Sequence, residues 1–355
     1  APEYRRDSFC GKFALCDVLL QYGVKFTVLS PHVVHPRNNM FCKNIDFFDR
    51  VCNVVKGLYD MTILSVGART TPFKSVRTDE LTLQKHRISV EALDMSSVIS
   101  ACLNMDSGCH ATQDKAELLR SKMDFSAMPE ANFLNLCRLG VVLDECIEQH
   151  KANAVAIRCW IELQQQLGVS PCFLNALLCE RGIPVACEVD ISNAVMMAAL
   201  QYASGSPATI LDWNNNFGDA SNKCILFHCG NVPPSMLQRS EKIIEHAILA
   251  ETAGKDCSWG CNCGRIRPME MSFGSMLTTA GRIKAYIGHG KITDNEIPSE
   301  FFGCAGVAQI ERLQEVLRYI CQTGHRHHVS LCEGDVVEPV IEAFTKYLGI
   351  EIDRV

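Results

Sequence analysis

The stretch that decides the fold is VACEVDISNAVMMAALQYASGSPATILDWNNN, residues 185–216. Two apolar runs typical of buried strands flank a segment with helical spacing, which predicts a strand, an amphipathic helix and a second strand. Glu188 follows the first run and Asp212 follows the apolar part of the second. Asp190 and Ser192 are good N-cap residues for the helix, and capping alone explains Asp190. Glu188 precedes the cap, and neither Glu188 nor Asp212 has such an explanation.

Before this stretch the chain alternates β-rich runs with helical patterns. Such alternation is typical of a parallel sheet covered by helices, and ligands bind such sheets at the carboxyl ends of the strands. Helical spacing is clearest in residues 46–60 and 132–151. The predicted strands lie within residues 25–30, 61–70, 86–93, 154–160 and 183–187.

After Gly205 short strands and turn residues dominate, which favours a barrel or sandwich core. The sequence SGSP at 204–207 supplies a helix stop and a turn. The sequence therefore predicts an α/β protein with a Rossmann-like parallel-sheet domain (residues 1–204) and a β-rich, barrel-like C-terminal domain (residues 205–355).

Composition restricts the classes of function. The chain has 355 residues, of which 47% are hydrophobic and 21% charged, as in folded globular proteins. A formal net charge of −6 without a basic stripe argues against a nucleic-acid partner. The densest apolar stretch, 193–203, is too short to span a bilayer, and the first residues lack a secretory signal pattern. We expect neither nucleic acid nor a membrane as a partner.

The twenty cysteines are scattered along the chain, many of them inside apolar runs. Buried thiols behave as small hydrophobic side chains, and a chain of this length does not need disulfides to form a core. We therefore expect reduced cysteines and a cytoplasmic protein. Cys257, Cys261 and Cys263 could bind a soft metal, but they lack a partner motif and are better explained as a cysteine-rich loop.

Histidines also fall near predicted strand ends. His228 lies inside the apolar run KCILFHCG, and His325, His327 and His328 lie in HRHHVSL. A single histidine in an apolar run is more often a core residue than a ligand. Two carboxylates combined with imidazoles nevertheless form a donor set that suits Mn²⁺, Fe, Co or Zn better than Ca²⁺.

These pieces resemble the L-fucose isomerase and L-arabinose isomerase superfamily. ACEVD followed by LDW is similar to the T-E-N-D and F-A-D segments of the fucose enzymes, and to the G-E-G-D segment and second acid of the arabinose enzymes. HHV at 327–329 is similar to the late His-His-Thr of the arabinose branch. GARTTPFKSVRTDE, residues 67–80, looks like part of the middle domain of these enzymes. The resemblance covers roughly residues 56–348.

The resemblance implies a divalent-metal site, with Mn²⁺ as the expected cofactor. Glu188 and Asp212 correspond to ligands that also act as acid/base groups. The late histidine corresponds to a further ligand, and alternation along a strand predicts that only one of His327 and His328 faces the metal. The match to the arabinose segment favours His328. His228 is a fourth candidate ligand, matched only by the arabinose branch.

The implied activity is that of a ketol isomerase, an intramolecular oxidoreductase acting on an open-chain sugar through an enediolate. A metal stabilises the enediolate oxygens, and a carboxylate moves the proton between adjacent carbons. Candidates for lining the sugar site, each also explicable by core packing, are Trp160, Gln164, Trp213 and Asn214. Arginines that would suit a phosphorylated or sulfonated sugar are Arg5, Arg6, Arg69 and Arg77.

The resemblance also implies a homo-oligomer with shared active sites. In the fucose enzyme an N-terminal domain helps to cover the site of a neighbouring subunit. Because this chain starts too late to contain that domain, we expect it to be lacking.

Two alternatives belong to other classes of protein. The first is a catalytically inactive sugar-binding relative, against which the retained Glu, Asp and His argue. The second is a nucleotide-dependent oxidoreductase that uses the glycine turn at 66–68. The absence of a full glycine fingerprint argues against it.

Overall fold

The computed structural model describes residues 7–238, 242–298 and 301–355. A π-helical turn at Ala343–Leu348 and a 3₁₀ turn at Lys74–Val76 accompany the regular elements. The helices are α1 Ser8–Gln21, α2 Asn39–Leu58, α3 Glu80–Lys85, α4 Met95–Asn104, α5 His110–Lys122, α6 Glu130–His150, α7 Glu162–Leu167, α8 Cys172–Glu180, α9 Ile191–Ser204, α10 Ala247–Ala253, α11 Leu313–Thr323 and α12 Val337–Glu342. The strands are β1 Met61–Val66, β2 Ile88–Leu93, β3 Ala154–Ile157, β4 Val185–Cys187, β5 Ala208–Asn216, β6 Lys223–His228, β7 Ile243–Glu245, β8 Trp259–Asn262, β9 Gly264–Arg265, β10 Met269–Thr279, β11 Arg282–Ile292, β12 Cys304–Gln309, β13 His328–Glu333 and β14 Glu351–Arg354.

The first half of the chain forms a parallel sheet of strand order β2-β1-β3-β4. Neighbouring strands are all parallel, with Ile63 opposite Ala154 and Val155 opposite Val185. Every residue of β3 and β4 is buried, as expected where helices cover both faces of a sheet. The predicted α/β class is therefore confirmed.

The second half forms a closed antiparallel barrel of the six strands β5, β6, β12, β11, β10 and β13. The barrel closes where β11 pairs with β12, through Lys291 opposite Gln309 and Ile292 opposite Ala308. Closure removes the exposed edges that an open sheet would leave unpaired. The predicted barrel-like, β-rich half is confirmed.

Helix α9 lies between the two sheets and contacts strands of both, including β3 and β10. It was predicted to be amphipathic, yet eleven of its fourteen residues are buried. The prediction fails because the helix has no solvent side. Gly274 on β10 permits the close approach, since a Cβ there would lie 2.4 Å from Met196 Cε on α9 and 2.5 Å from the carbonyl oxygen of Tyr286.

The predicted strand at residues 25–30 is wrong. The segment has no regular structure, and it pairs with none of the strands in the described residues. Side chains hold it instead: Lys25 Nζ donates to the carbonyl oxygen of Tyr347 at 2.9 Å, and Thr27 Oγ1 donates to Glu342 Oε1 at 2.8 Å. The other four predicted strands of this half are present.

The boundary between the halves follows α9. The helix ends at Gly205, whose φ of 70° is the left-handed conformation that favours glycine, and β5 begins three residues later. The strands of the parallel sheet precede this turn and those of the barrel follow it. The division into domains at residues 204 and 205 stays a prediction, because one apolar core cluster includes residues from both sides.

No disulfide joins cysteines of the described residues, in agreement with the expectation of reduced thiols. Burial raises the pKa of the Cys102 and Cys137 thiols to about 12, which keeps them protonated and poorly nucleophilic. None of the helices in the described ranges has the length and apolar character that crossing a membrane requires. The cytoplasmic location stays a prediction.

His246 caps the start of α10, and its titration makes the stability of the fold depend on pH. It is 7% exposed, and its Nδ1 accepts from the backbone N–H of Leu249 at 3.3 Å, which caps α10. The pKa of His246 is lowered from 6.5 to about 4, mainly by burial and to a smaller extent by the nearby His228. The ring is neutral in the fold and charges more readily in the unfolded chain. Its contribution is therefore complete above pH 6.5 and is lost as the pH falls toward 4.

We expect the titration of His246 to lower the free energy of unfolding by about 2 kcal/mol when the pH falls from 7 to 5. His246→Asn keeps a capping side chain without titration, and should reduce this loss by that amount. Urea unfolding at both pH values measures it, with His289→Asn, which changes a surface histidine on β11, as the control. An equal loss in wild type and His246→Asn would contradict the assignment.

Candidate metal site

Glu188 is placed by an unusual backbone. It follows β4 directly, and both Glu188 and Val189 have a φ of 61°, in the left-handed region that non-glycine residues rarely adopt. The N–H of Asp190 then returns to the carbonyl oxygen of Cys187 at 3.0 Å, and α9 begins. Strained residues of this kind persist only where the surroundings fix them, and they are frequent at functional sites. The tight turn directs Glu188 toward the barrel.

Asp212 reaches the same place from the barrel. In the pairing of β5 with β13, Asp212 lies directly opposite His328. Its Oδ1 is 3.7 Å from His328 Nε2 and 4.0 Å from His327 Nε2. The Asp212 side chain is one-third exposed, whereas His328 is fully buried. Asp212 therefore lies on the solvent side of His328.

Donor atoms of Glu188, His327 and His328 converge within 4.8 Å of one another. Glu188 Oε2 is 3.3 Å from His327 Nε2 and 3.4 Å from His328 Nε2. Among the described residues this is the one group of three or more such side chains that could hold a metal ion. We call it the Glu-His-His group.

The expectation that only one of the two histidines faces the site is wrong. Strand β13 begins at His328, so His327 precedes the regular alternation of side chains. The two ring centroids are 4.1 Å apart, and both Nε2 atoms point to the same carboxylate.

Charge is concentrated at this point. Burial alone would lower the pKa of His328, but the bond to Asp190 and the charges of Glu188 and Asp212 raise it to about 9. Burial raises the pKa of Glu188, and the three neighbouring histidines more than offset this, so that its pKa is lowered. Both pKa shifts favour the charged forms of His328 and Glu188, so positive charge is stabilised at this point. A divalent cation would take that place.

The residues present fit a divalent metal ion. Nε2 of His328 is buried without a hydrogen-bond partner, although it belongs to a ring whose other nitrogen is well bonded. Buried polar atoms without partners are rare and costly, and a metal ion would satisfy this one. Carboxylate oxygen with two imidazole nitrogens is a donor set for Mn, Fe, Co or Zn.

His228 lies beside the group but is not part of it. Its ring centroid is 6.2 Å from that of His328, and its Nδ1 is 3.6 Å from Cys229 Sγ. It is 3% exposed and surrounded by the barrel wall. The geometry favours a role in packing behind His328, and its role as a ligand stays a prediction.

Trp160, one of the four residues predicted to line a sugar site, reaches the Glu-His-His group through one intervening ring. Its ring packs edge-on against Phe73 at 5.2 Å, and Phe73 stacks on His327 at 5.5 Å. Aromatic faces suit the C–H groups of a sugar ring. Phe73 was not predicted from the sequence. The only signal for it was its position in the loop after β1.

Gln164 and Trp213 are better explained by interior contacts. Gln164 is 1% exposed, and its Nε2 donates to Ser170 Oγ and to two backbone carbonyl oxygens. Trp213 alternates with Asp212 on β5 and points into the barrel, where Nε1 donates to the hydroxyl of Tyr286 at 3.2 Å. Asn214 is exposed, at a bulge in the pairing of β5 with β6.

Asp190 does more than cap a helix. It accepts from the backbone N–H of Asn193 as expected, but its Oδ2 also lies 2.9 Å from His328 Nδ1. Its Oδ1 accepts from Arg326 Nε at 2.9 Å. The sequence interpretation missed these two contacts because capping was a sufficient explanation. The arginine directly before two histidines was the available signal.

Two weaker candidates from the sequence are structural. Gly67 has a φ of 80° and donates its N–H to the carbonyl oxygen of Leu93, and a Cβ there would lie 3.1 Å from Arg158. It serves a tight turn, which accounts for it without a nucleotide. Cys257, Cys261 and Cys263 do not form a metal-holding group within the described ranges.

Two family models match this chain. The model described as "L-fucose isomerase, C-terminal domain" matches residues 226–355, and the model described as "Fucose/sulfoquinovose isomerase, N-terminal domain" matches residues 2–59. The chain belongs to the fucose isomerase-like family. The expectation that it lacks the N-terminal domain is wrong. That part carries none of the site motifs on which the resemblance depended.

Its relatives include proteins named sulfoquinovose isomerase. The one from Priestia megaterium (strain ATCC 12872 / QMB1551) is 22% identical over 298 residues, which cover 82% of this chain and 64% of the relative. The one from Clostridium sp. (strain MSTE9) is 22% identical over 325 residues, 90% of this chain and 70% of the relative. The chain thus spans less than two thirds of the Priestia relative's length.

Proposed function

We propose that this protein is a metal-dependent aldose–ketose isomerase. The observation that carries the proposal is the Glu-His-His group, in which the buried Nε2 of His328 has no hydrogen-bond partner. A second carboxylate, Asp212, lies beside it. The sugar isomerases to which the chain is related support the reaction class.

When bound, a divalent cation would stabilise negative charge on the carbonyl and hydroxyl oxygens of an open-chain sugar. Glu188, His327 and His328 would hold it, and their mixed oxygen and nitrogen donors suit Mn²⁺. We propose Mn²⁺ as the resident ion.

The two carboxylates differ in ways that suit different parts of the reaction. Glu188 is nearly buried and fixed by His327 and His328, which suits a ligand. Asp212 is one-third exposed at the rim of the group, where a substrate carbon can approach it. We therefore assign to Asp212 the removal of the proton from one carbon and its return to the next, and to Glu188 the role of a metal ligand.

We propose a sulfonated hexose as the substrate. The related proteins are named for sulfoquinovose, a sugar with an anionic group. Two of the arginines predicted to suit an anion flank the loop that touches His327. Arg69 NH1 donates to the carbonyl oxygens of Thr70 and Thr71, and Arg77 has an exposed side chain. Arg5 and Arg6 lie outside the described residues.

Variants of the Glu-His-His group test the site. We expect Glu188→Gln and His328→Ala to weaken Mn²⁺ binding by at least ~10-fold, because each removes a donor. Asp212→Asn should retain more of the metal affinity while kcat falls ~10²-fold or more, because it removes the proton carrier. Equilibrium dialysis with Mn²⁺ and turnover with the preferred sugar measure the two effects.

A matched control is the exposed pair Glu270 and His289, whose Oε2 and Nε2 lie 3.3 Å apart on the barrel. Glu270→Gln and His289→Ala should change neither Mn²⁺ affinity nor turnover. Wild-type metal content and activity in Glu188→Gln and Asp212→Asn would place the site elsewhere.

A substrate panel tests the choice of sugar. Sulfoquinovose, glucose, L-fucose and L-arabinose should be compared with and without Mn²⁺, and we expect kcat/KM to be highest for the sulfonated sugar. Arg77→Met should raise KM for sulfoquinovose several-fold and leave KM for the neutral sugars unchanged, because it removes only a charge. Higher kcat/KM for a neutral sugar would overturn the assignment.

We also propose a homo-oligomer with shared active sites. Helix α1 has no buried residue, and several of its apolar side chains are exposed, among them Phe13 at 63% and Leu20 at 68%. Apolar surface of this kind marks contact with another chain. Light scattering should give a mass that is a multiple of the monomer's, and a monomer at working concentration would contradict the proposal.

A further inference from the structure

Arg326 is a buried cation that contacts neither solvent nor the donor atoms of the Glu-His-His group. It is 3% exposed, and every nitrogen of its guanidinium donates to oxygen. Nε donates to Asp190 Oδ1 at 2.9 Å, NH1 donates to the carbonyl oxygen of Ser75 at 2.7 Å, and NH2 donates to the carbonyl oxygen of Arg77 at 2.8 Å. NH2 also reaches Ser192 Oγ at 3.1 Å. One side chain thus joins the start of α9 to the loop after β1.

The first branch from Arg326 leads to His328. Asp190 accepts from Arg326 with Oδ1 and faces His328 Nδ1 with Oδ2 at 2.9 Å. A carboxylate in this position keeps the proton on Nδ1 and leaves the lone pair on Nε2, as in the carboxylate–histidine pairs that support metal ligands. Nε2 is the atom that lies 3.4 Å from Glu188 Oε2.

The second branch leads to His327. Ser75, whose carbonyl oxygen is held by Arg326, places its Oγ 3.2 Å from His327 Nδ1. The preceding Phe73 stacks on the same imidazole at 5.5 Å. The loop therefore fixes both the plane of the His327 ring and the nitrogen that faces Glu188.

We propose that Arg326 is a positioning residue that orients both imidazoles of the Glu-His-His group at once, through Asp190 on one side and Ser75 on the other. This inference rests on the proposed metal site. A planar guanidinium is required because its five N–H groups reach acceptors in divergent directions, which the single ammonium of lysine cannot do. Because Arg326 is only 3% exposed, we assign it no contact with the sugar.

Three variants separate positioning from folding. Arg326→Lys keeps the charge that neutralises Asp190 but loses the planar guanidinium and its divergent N–H groups. Asp190→Asn keeps a helix cap and loses the charge, and Ser75→Ala removes one exposed hydroxyl. The control is Arg267→Lys, since Arg267 pairs with Glu333 and also donates Nε to the carbonyl oxygen of Ser235 at 3.0 Å, away from the group.

The probe is manganese(II) chloride added to metal-free protein, with Kd obtained by equilibrium dialysis and urea unfolding measured without metal. We expect Arg326→Lys and Asp190→Asn to raise Kd by ~10- to 100-fold. Ser75→Ala should raise Kd several-fold while its urea midpoint stays equal to that of wild type. Arg267→Lys should bind Mn²⁺ as wild type does. A purely structural role would shift the urea midpoint and leave Kd unchanged in every folded variant.

The outcomes distinguish this inference from the proposed function. If wild type binds Mn²⁺ and the folded variants bind it equally well, the positioning role is wrong and the metal site stands. If wild type itself does not bind Mn²⁺, the proposed function fails and this inference fails with it. If Arg326→Lys does not fold, Ser75→Ala decides: an unchanged Kd in this folded variant overturns the proposal.

Discussion

The burial of helix α9 on all its sides is the constraint on which the rest of the structure depends. The helix supplies a common core to a parallel sheet and to a barrel, since it contacts β1, β3 and β4 of the sheet and β5, β10 and β13 of the barrel. Each large apolar side chain buried there contributes about 1.5–3 kcal/mol. Because its two ends are fixed by this packing, the residues immediately before and after it are fixed as well. Glu188 precedes the helix and Asp212 lies on the strand that follows it.

The same constraint explains why a site forms between two layers of unlike structure. The carboxyl end of β4 and the paired ends of β5 and β13 meet at the start of α9, so that Glu188 after the parallel sheet faces His328 and Asp212 of the barrel. The electrostatic consequence is a compact group of carboxylates and imidazoles, in which His328 is fully buried and Glu188 is 14% exposed. Charged groups buried without an ion partner are energetically costly, which is the physical basis of the proposed metal site.

The sequence was sufficient for the architecture and for part of the site. Alternating β-rich and helical runs predicted the parallel sheet, and the apolar runs after Gly205 predicted the barrel, because both signals depend on local periodicity. Glu188 and Asp212 stood out as acids without a local explanation. Contacts between distant segments left no such signal. Asp190 looked like a helix cap, and for Gln164 and Trp213 the sequence left both core packing and sugar binding open. The pairing of Arg326 with Ser75 joins residues far apart in the chain.

The two left-handed residues after β4 restrict how this protein can change in evolution. Glycine would adopt their backbone angles at less cost, since a side chain in that region destabilises the chain by about 1–2 kcal/mol. Yet a glycine at 188 would remove the carboxylate, and one at 189 would leave a gap where Val189 is 6% exposed within the core. Mutations that relax the turn therefore damage something else. Lineages that adapt to heat would have to gain stability at other places in the fold and leave this turn strained.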